Sequence, residues 1–141
     1  MRTTMTNYKQ NYLDYMDEKG IKYIDHDEYH VEVRYTRDYL NSIPVHVFFA
    51  KDGSDNVQLV CWKVYKCPKE ELGRACGVCN VLNKNFRWVK FYVDEDYDFV
   101  GEMDALIDPV FVGDECAKLV HRMVSIIDDA RPHITRLLRI L

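Results

Sequence analysis

The sequence predicts an α+β fold in which an antiparallel sheet packs against helices. Three segments space their apolar residues as helices do, and the segments between them alternate apolar with polar residues as strands do. The links between neighbouring strands are of hairpin length, which leaves no room for parallel crossovers except across the middle helix. The predicted order is α-β-β-β(-β)-α-β-β-α. A chain of 141 residues fits one domain, so residues 1–141 are predicted to form a single unit.

The first helix is predicted to begin after Thr6, whose hydroxyl can cap its N-terminus, and to run to about Lys19. Gly20 is expected to end it, because glycine adopts the left-handed conformation after a helix at little cost. The apolar face consists of four residues at helical spacing: Tyr8, Tyr12, Tyr15 and Met16.

The next part of the chain is predicted to form strands. Val31, Val33 and Tyr35 alternate with charged residues in HVEVRY, which is typical of a strand with one buried and one solvated face. A shorter strand over residues 22–25 is expected to pair with it, and Pro44 precedes another strand in VHVFFA.

The strand over residues 56–65 is apolar on both faces. One face contains Val57, Leu59 and Cys61, and the other contains Val60, Trp62 and Val64. Strands in which both faces are buried have this pattern. We therefore predict that this strand is central in the sheet and covered on both sides, or that one face meets a partner.

The middle helix is expected to begin near Pro68 and to run to about Asn83, because proline suits the first helical turn and two glutamates follow it. Residues 88–94 and 98–106 are predicted to form a hairpin around an acidic turn. From Asp114 the apolar residues return to helical spacing. Pro132 is expected to end or kink this helix, with ITRLLRIL continuing as a last helical segment.

Charge and composition exclude several classes of function. The 19 basic and 23 acidic residues give a net charge of −4, and a mildly acidic domain lacks the clustered positive field that nucleic-acid phosphates require. No segment approaches the length of a membrane span, and the polar N-terminus lacks the apolar run of a secretory signal. Five cysteines, an odd number in a chain without an export signal, favour reduced thiols in the cytoplasm.

No phosphate-cradling loop occurs in the sequence, and no local spacing assembles a nucleophile, a base and an orienting acid. We therefore expect no cofactor, no metal and no catalytic residues. Catalytic residues need not be neighbours in sequence, so an active site could still form through the fold.

The stretch GRACGVCNVLNK contains a C-x-x-C motif formed by Cys76 and Cys79. A structural zinc site needs four ligands, and Cys61 and Cys67 have the wrong spacing to supply a second pair. A thioredoxin-like redox site places the motif at a helix N-terminus, whereas here it falls inside the predicted middle helix. We predict that both thiols are buried against the sheet as small apolar groups, with a metal or redox role as the alternative.

Two acidic segments and one histidine are weaker candidates for a site. The segment DHDEYH begins at Asp25 and ends at His30 and could hold a metal at a hairpin turn, but alternation places His30 on the solvent side, so a polar turn is favoured. The segment DEDYD lacks the glycine and glutamate that a calcium loop requires, and is predicted to be a solvated hairpin tip. His121 is expected to be an ordinary residue of the last helix.

An apolar surface on the sheet is the candidate interaction site. A monomer rarely exposes a contiguous apolar patch of more than a few hundred Å². This surface, or the rim of the second hairpin near Tyr92 and Phe99, could join two copies about a two-fold axis or bind an extended segment of a partner protein. Its members, from the central strand and the strand facing it, are His46, Phe48, Val60, Trp62 and Val64.

Four parts of the chain resemble the YbjN family, described as putative bacterial sensory transduction regulators: YLDYMDEKGIKY, HVEVRY, CNVLNKNFRWVKFYVDEDYDFV and the final helical stripe. The feature with most weight is a middle helix ending in Asn80-x-x-Asn83, followed by a strand containing Val89-Lys90-Phe91, an acidic turn and a return strand. The resemblance covers about residues 8–130, nearly the whole predicted domain.

The resemblance implies a fold and a class of function. The family is similar in fold to the chaperones of type III secretion systems, which commonly dimerise and bind extended segments of partner proteins. It has no established catalytic residues, so none is expected here. Asn80 and Asn83 are expected to be structural, since an asparagine at a helix C-terminus can adopt the left-handed cap.

We therefore predict a non-enzymatic, cytoplasmic protein-binding module, a homodimer with a regulatory or chaperone-like role and no nucleic-acid or membrane partner. The alternative is a metal- or thiol-dependent protein that uses Cys76 and Cys79, or the cluster from Asp25 to His30. A third possibility is a structural subunit of a larger complex.

Overall fold

The computed structural model describes residues 6–140. Its elements in chain order are α1 (Tyr8–Lys19), β1 (Ile24–Asp27), β2 (His30–Tyr35), β3 (Ile43–Phe49), β4 (Asn56–Lys66), α2 (Leu72–Asn85), β5 (Lys90–Val93), β6 (Asp98–Leu106) and α3 (Val112–Ile140). The strands form one antiparallel sheet in the spatial order β1-β2-β3-β4-β6-β5. The predicted α+β class is confirmed, with four strands before the middle helix.

Helix α1 is capped one residue later than predicted. The side chain of Asn7, and not of Thr6, accepts a hydrogen bond from the backbone N–H of Gln10 at 2.9 Å. Asparagine is at least as good an N-cap as threonine, so the sequence allowed either start. The predicted end is confirmed, because Gly20 has a φ of 71° and its N–H donates to the carbonyl of Asp17.

Strand β4 lies inside the sheet, between β3 and β6, as its two apolar faces predicted. A bulge interrupts its alternation: the pairing with β6 shifts between Cys61 and Tyr65, and Lys63 adopts a φ of 58°. Val64, which strict alternation placed beside Trp62, is instead buried in the main core cluster. The predicted surface therefore loses one of its five members.

Helix α2 follows a short 3₁₀ turn (Lys69–Glu71) and buries a single stripe toward the core. The stripe consists of Ala75, Val78, Cys79 and Leu82. Cys76 lies about 100° around the helix from Ala75 and is exposed. The prediction that both thiols are buried is thus correct for Cys79 and wrong for Cys76.

Asn83 fastens helix α2 to strand β5. The backbone N–H of Phe91 donates to Asn83 Oδ1 at 2.7 Å, and Asn83 Nδ2 donates to the carbonyl of Phe91 at 3.1 Å. The side chain thus pairs with the strand backbone as a neighbouring strand would. Its role is structural, as expected, but it does not cap the helix, which runs on to Asn85.

Helix α3 does not end at Pro132 but continues as one helix to Ile140. It packs over β3 and β4 and against α1. Gly113 allows the close approach to α1, because a Cβ atom at this position would lie only 2.4 Å from the Cβ of Tyr15.

All three helices contribute to one hydrophobic core on a single face of the sheet. We call the other side of the sheet the open face, because none of the helices within residues 6–140 packs against it. Val60 and Val100 are buried there but stand outside the main core cluster.

Candidate functional site

Three adjacent strands bring three histidines together on the open face: His26 from β1, His30 from β2 and His46 from β3. The antiparallel register of β2 and β3 sets Glu32 opposite His46 and His30 opposite Phe48. Because alternate residues of a strand point to the same side, these four residues of β2 and β3 share the open face.

The imidazole rings form a compact cluster. One ring nitrogen of each histidine lies within 4.8 Å of one from each of the others. His30 Nε2 and His46 Nδ1 are 2.8 Å apart and share a hydrogen bond, and the rings of His26 and His30 stack with centroids 4.3 Å apart. Within residues 6–140 no other group of three histidine, cysteine or acidic side chains converges this closely.

Glu32 is the buried acid of this cluster, with only 3% of its surface exposed. Its Oε1 lies 2.8 Å from His26 Nε2 and 3.9 Å from His46 Nε2, while its Oε2 accepts from Arg34 Nε. Burial opposes ionisation, but the hydrogen bonds from Arg34 and His26 outweigh it, so the pKa of Glu32 is lowered. The ionised carboxylate can only accept, so His26 Nε2 must carry the hydrogen.

Burial lowers the pKa of both His30 and His46, and the neighbouring His26 acts in the same direction on each. Glu32 opposes this shift without reversing it. Both imidazoles are therefore neutral at pH 7. In that state a ring nitrogen can accept a hydrogen bond or bind a metal ion.

An aromatic surface continues from the histidines. Phe48 stacks on His30 with ring centroids 4.1 Å apart, and Trp62 lies 4.6 Å from His46 and 5.9 Å from Phe48. Val60 pairs opposite His46 and is buried. Trp62 remains 38% exposed, so the surface ends in a large apolar side chain that is open to solvent.

The structure brings together four of the five residues predicted for an interaction surface: His46, Phe48, Val60 and Trp62. Of the rim suggested as an alternative, Phe99 is fully buried and offers no surface, whereas Tyr92 on β5 is partly exposed.

The metal site considered between Asp25 and His30 takes a different form in the structure. Its two histidines, His26 and His30, do converge, but Asp25 is held by Lys9 of α1. The third partner is His46, sixteen residues after His30. Sequence reasoning treated the two groups separately. The register between β2 and β3 connects the two groups, because it places His30 and His46 on the same face of the sheet.

The cysteines show no comparable arrangement. All five are free, and within the described residues none belongs to a convergent group of metal-ligating side chains. Burial raises the pKa of Cys61, Cys79 and Cys116 to about 12, so these thiols stay protonated at neutral pH. Cys76 is the exposed member of the C-x-x-C motif.

The remaining candidates are ordinary structural features. Asp94 Oδ1 accepts from the backbone N–H groups of Asp96 and Asp98, so the predicted hairpin tip is present, although Asp98 itself is buried. His121 is an exposed residue of α3 whose ring lies 5.2 Å from that of Tyr35. No helix within residues 6–140 has both the length and the apolarity to cross a membrane.

The six-stranded antiparallel sheet and its three helices give the molecule a mixed α+β fold. A family model described as "putative bacterial sensory transduction regulator" matches residues 14–136, and the chain belongs to this family, YbjN. The resemblance drawn from the sequence is therefore confirmed. A search of curated proteins gives no match.

Three solved structures share the fold at low sequence identity. YbjN of E. coli, described as a putative transcription regulator, has a TM-score of 0.62 at 8% identity, covering 89% of this chain and 92% of that one. A chain of the heterodimeric ExoU–SpcU complex from the type III secretion system of Pseudomonas aeruginosa has a TM-score of 0.53 at 12% identity, and the match covers 88% of this chain and 94% of that one. An uncharacterized protein of Methanothermobacter thermautotrophicus has a TM-score of 0.51 at 11% identity, and the match covers 90% of this chain and 99% of that one.

Proposed function

We propose that this protein is a non-enzymatic, chaperone-like protein-binding module whose binding surface is the aromatic part of the open face: His46, Phe48, Trp62 and the underlying Val60. The observation that carries the proposal is the exposure of Trp62 beside the aromatic rings of His46 and Phe48 on the open face. Tryptophan is enriched among the residues that dominate binding at protein interfaces.

The relatives support a regulatory or chaperone-like role. The family description names sensory transduction regulators, and one protein of similar fold comes from a heterodimeric secretion complex. We also propose that residues 1–141 act as a single domain in the cytoplasm, the compartment that five free cysteines favour.

The occupant that we propose for the surface is a second copy of the chain, bound about a two-fold axis. A two-fold axis centred on Trp62 would bring the aromatic surfaces of the two copies together. The exposed side chain of Trp62 in each copy would then be buried against the other copy.

Light scattering on the purified chain tests this proposal, with Trp62→Arg as the disrupting variant. Trp88, the other tryptophan, is 63% exposed and lies beside Arg122 of α3, so Trp88→Arg is the matched control. We expect a dimeric wild type, a folded monomer for Trp62→Arg and a dimer for Trp88→Arg.

Two outcomes would change the proposal in different ways. A wild type that stays monomeric at micromolar concentrations removes the dimer and leaves the binding of a different protein. A dimer that survives Trp62→Arg places the interface elsewhere. Circular dichroism of each variant separates a lost interface from a lost fold.

A further inference from the structure

We propose that His26, His30 and His46 form a binding site for a divalent transition-metal ion of the class of Zn²⁺ on the open face of the sheet. The site shares His46 with the proposed protein-binding surface but has a different role, and it revises the sequence-based expectation that the chain has no metal ligands. It also revises the alternative that placed a metal within the cluster from Asp25 to His30, because its third ligand comes from β3.

The spacing of the ring nitrogens fits such an ion. Zn²⁺ binds imidazole nitrogen at about 2.0–2.1 Å, so two nitrogens of a tetrahedral site lie about 3.3–3.4 Å apart. The three histidines already bring one nitrogen each within 4.8 Å of the others. Small rotations of the rings would bring these nitrogens to ligand distance, without a change in the sheet.

The His30–His46 hydrogen bond is compatible with metal binding. Its two nitrogens are 2.8 Å apart, and one of them carries the shared hydrogen. When an ion takes the place of this hydrogen, the donor ring shifts to its other tautomer and the hydrogen moves to the second nitrogen of that ring. Both rings stay neutral and each offers a lone pair to the ion.

Glu32 has the place of a residue that orients the ligands. Histidines that bind metals usually donate their other N–H to a carboxylate or a carbonyl, which fixes the orientation of the ring. The buried carboxylate of Glu32 accepts from His26 and lies near His46, and Arg34 fixes its second oxygen. We assign Glu32 as a positioning residue that also brings a negative charge close to the ion.

The site is rigid and reachable. Its ligands lie on three neighbouring strands of one sheet, which holds them more firmly than loops would. The side chain of His26 is 35% exposed and leaves a path from solvent. Three protein ligands leave a fourth position for water or for a donor group of a bound protein. Phe48, stacked on His30, borders the cluster on the side toward Trp62.

Titration calorimetry with Zn²⁺ tests the site on the full chain, without a histidine tag and after treatment with a chelator. We expect one ion per chain and no binding of Mg²⁺, which prefers oxygen ligands. Co²⁺ supplies an independent measurement, because a tetrahedral cobalt site absorbs visible light strongly.

The chain offers matched controls for the ligands. His46→Ala and His30→Ala should weaken Zn²⁺ binding by more than about tenfold, and Glu32→Gln by about 10–100-fold, the usual effect of losing an orienting partner. The two other histidines of the sequence, His121 and His133, are the controls. Their alanine variants should bind as the wild type does.

The proposal is wrong if the wild type binds no Zn²⁺, or if the histidine variants bind it as tightly as the wild type. It is also wrong if Cys76→Ser, rather than His46→Ala, removes the binding. Should His46→Ala fail to fold, His26→Ala at the most exposed ligand takes its place. His26→Ala, at a ligand outside the proposed protein-binding surface, should lose the ion and keep the dimer, so failure of the proposed dimer and failure of the metal site are distinguishable.

Discussion

Asp128 of α3 holds the loop between β2 and β3 against the helices. Its Oδ1 accepts hydrogen bonds from the backbone N–H groups of Tyr39 and Leu40, at 2.9 and 3.0 Å, and the residue is 5% exposed. This loop joins the strands that carry His30 and His46. We predict that Asp128→Ala destabilises the fold and loosens this connection.

The magnitude follows from the two hydrogen bonds. A hydrogen bond to a charged group contributes about 1.5–3 kcal/mol, so two are worth at most about 6 kcal/mol. The loop is partly solvated, since Tyr39 is exposed, and water replaces part of the loss. We therefore expect Asp128→Ala to lower the free energy of unfolding by about 2–4 kcal/mol, and Asp128→Asn, which keeps an acceptor oxygen, by less.

Urea denaturation followed by circular dichroism measures this loss as a lower midpoint at an unchanged slope. Asp129 is the matched control, because it is the exposed neighbour of Asp128 in sequence. Asp129→Ala should change the free energy of unfolding by no more than about 0.5 kcal/mol. Equal losses in the two variants, or no loss in Asp128→Ala, would show that the hydrogen bonds to Asp128 do not stabilise the fold.

Three further predictions concern the thiols, the α1–α3 contact and pH. Cys76 should react rapidly with a thiol reagent in the native protein while the four buried cysteines do not, and Cys76→Ala should remove that fast phase in a colorimetric assay. Gly113→Ala should lower the melting temperature, because its new methyl group overlaps Tyr15; an unchanged melting temperature would contradict this close approach. In the presence of a chelator, the free energy of unfolding should be highest above the ordinary histidine pKa of 6.5 and fall below it, since the lowered pKa values of His30 and His46 make the unfolded chain bind protons first. Replacing both histidines with glutamine should flatten this slope in urea titrations between about pH 7.5 and 5.5, and an equally steep slope would contradict it.

The order of elements could be predicted from the sequence because it depends on local patterns. The helical spacing of apolar residues identified α1, the glycine after it marked its end at Gly20, and two apolar faces indicated the central position of β4. The bulge at Lys63 could not be predicted, since a positive φ at lysine has no sequence signal. That bulge moved Val64 from the predicted surface into the core. Helix α3 continued through Pro132 because the stripe on both sides of the proline packs into the same core, which outweighs the local cost.

The candidate site was only half visible in the sequence. Alternation correctly placed His30 on the open face, and His46 and Phe48 were recognised as surface residues of the next strand. Whether these residues lie next to His26 depends on the register between neighbouring strands. That register is set by tertiary packing as well as by the turn. The exposure of Cys76 was also missed. Which residues of a helix are buried depends on how the helix packs against the sheet, and the sequence alone does not give this orientation.

The most direct test of the proposed protein-binding surface is the fluorescence of Trp62 in a Trp88→Phe variant, in which it is the only tryptophan. Emission is recorded over a dilution series in which light scattering gives the mass of the particle. If the open face joins two copies, the emission maximum shifts to longer wavelength over the concentrations at which the mass halves, because Trp62 becomes solvated. Emission that stays constant while the mass halves, or a mass that is monomeric throughout, would show that the surface around Trp62 does not join two copies.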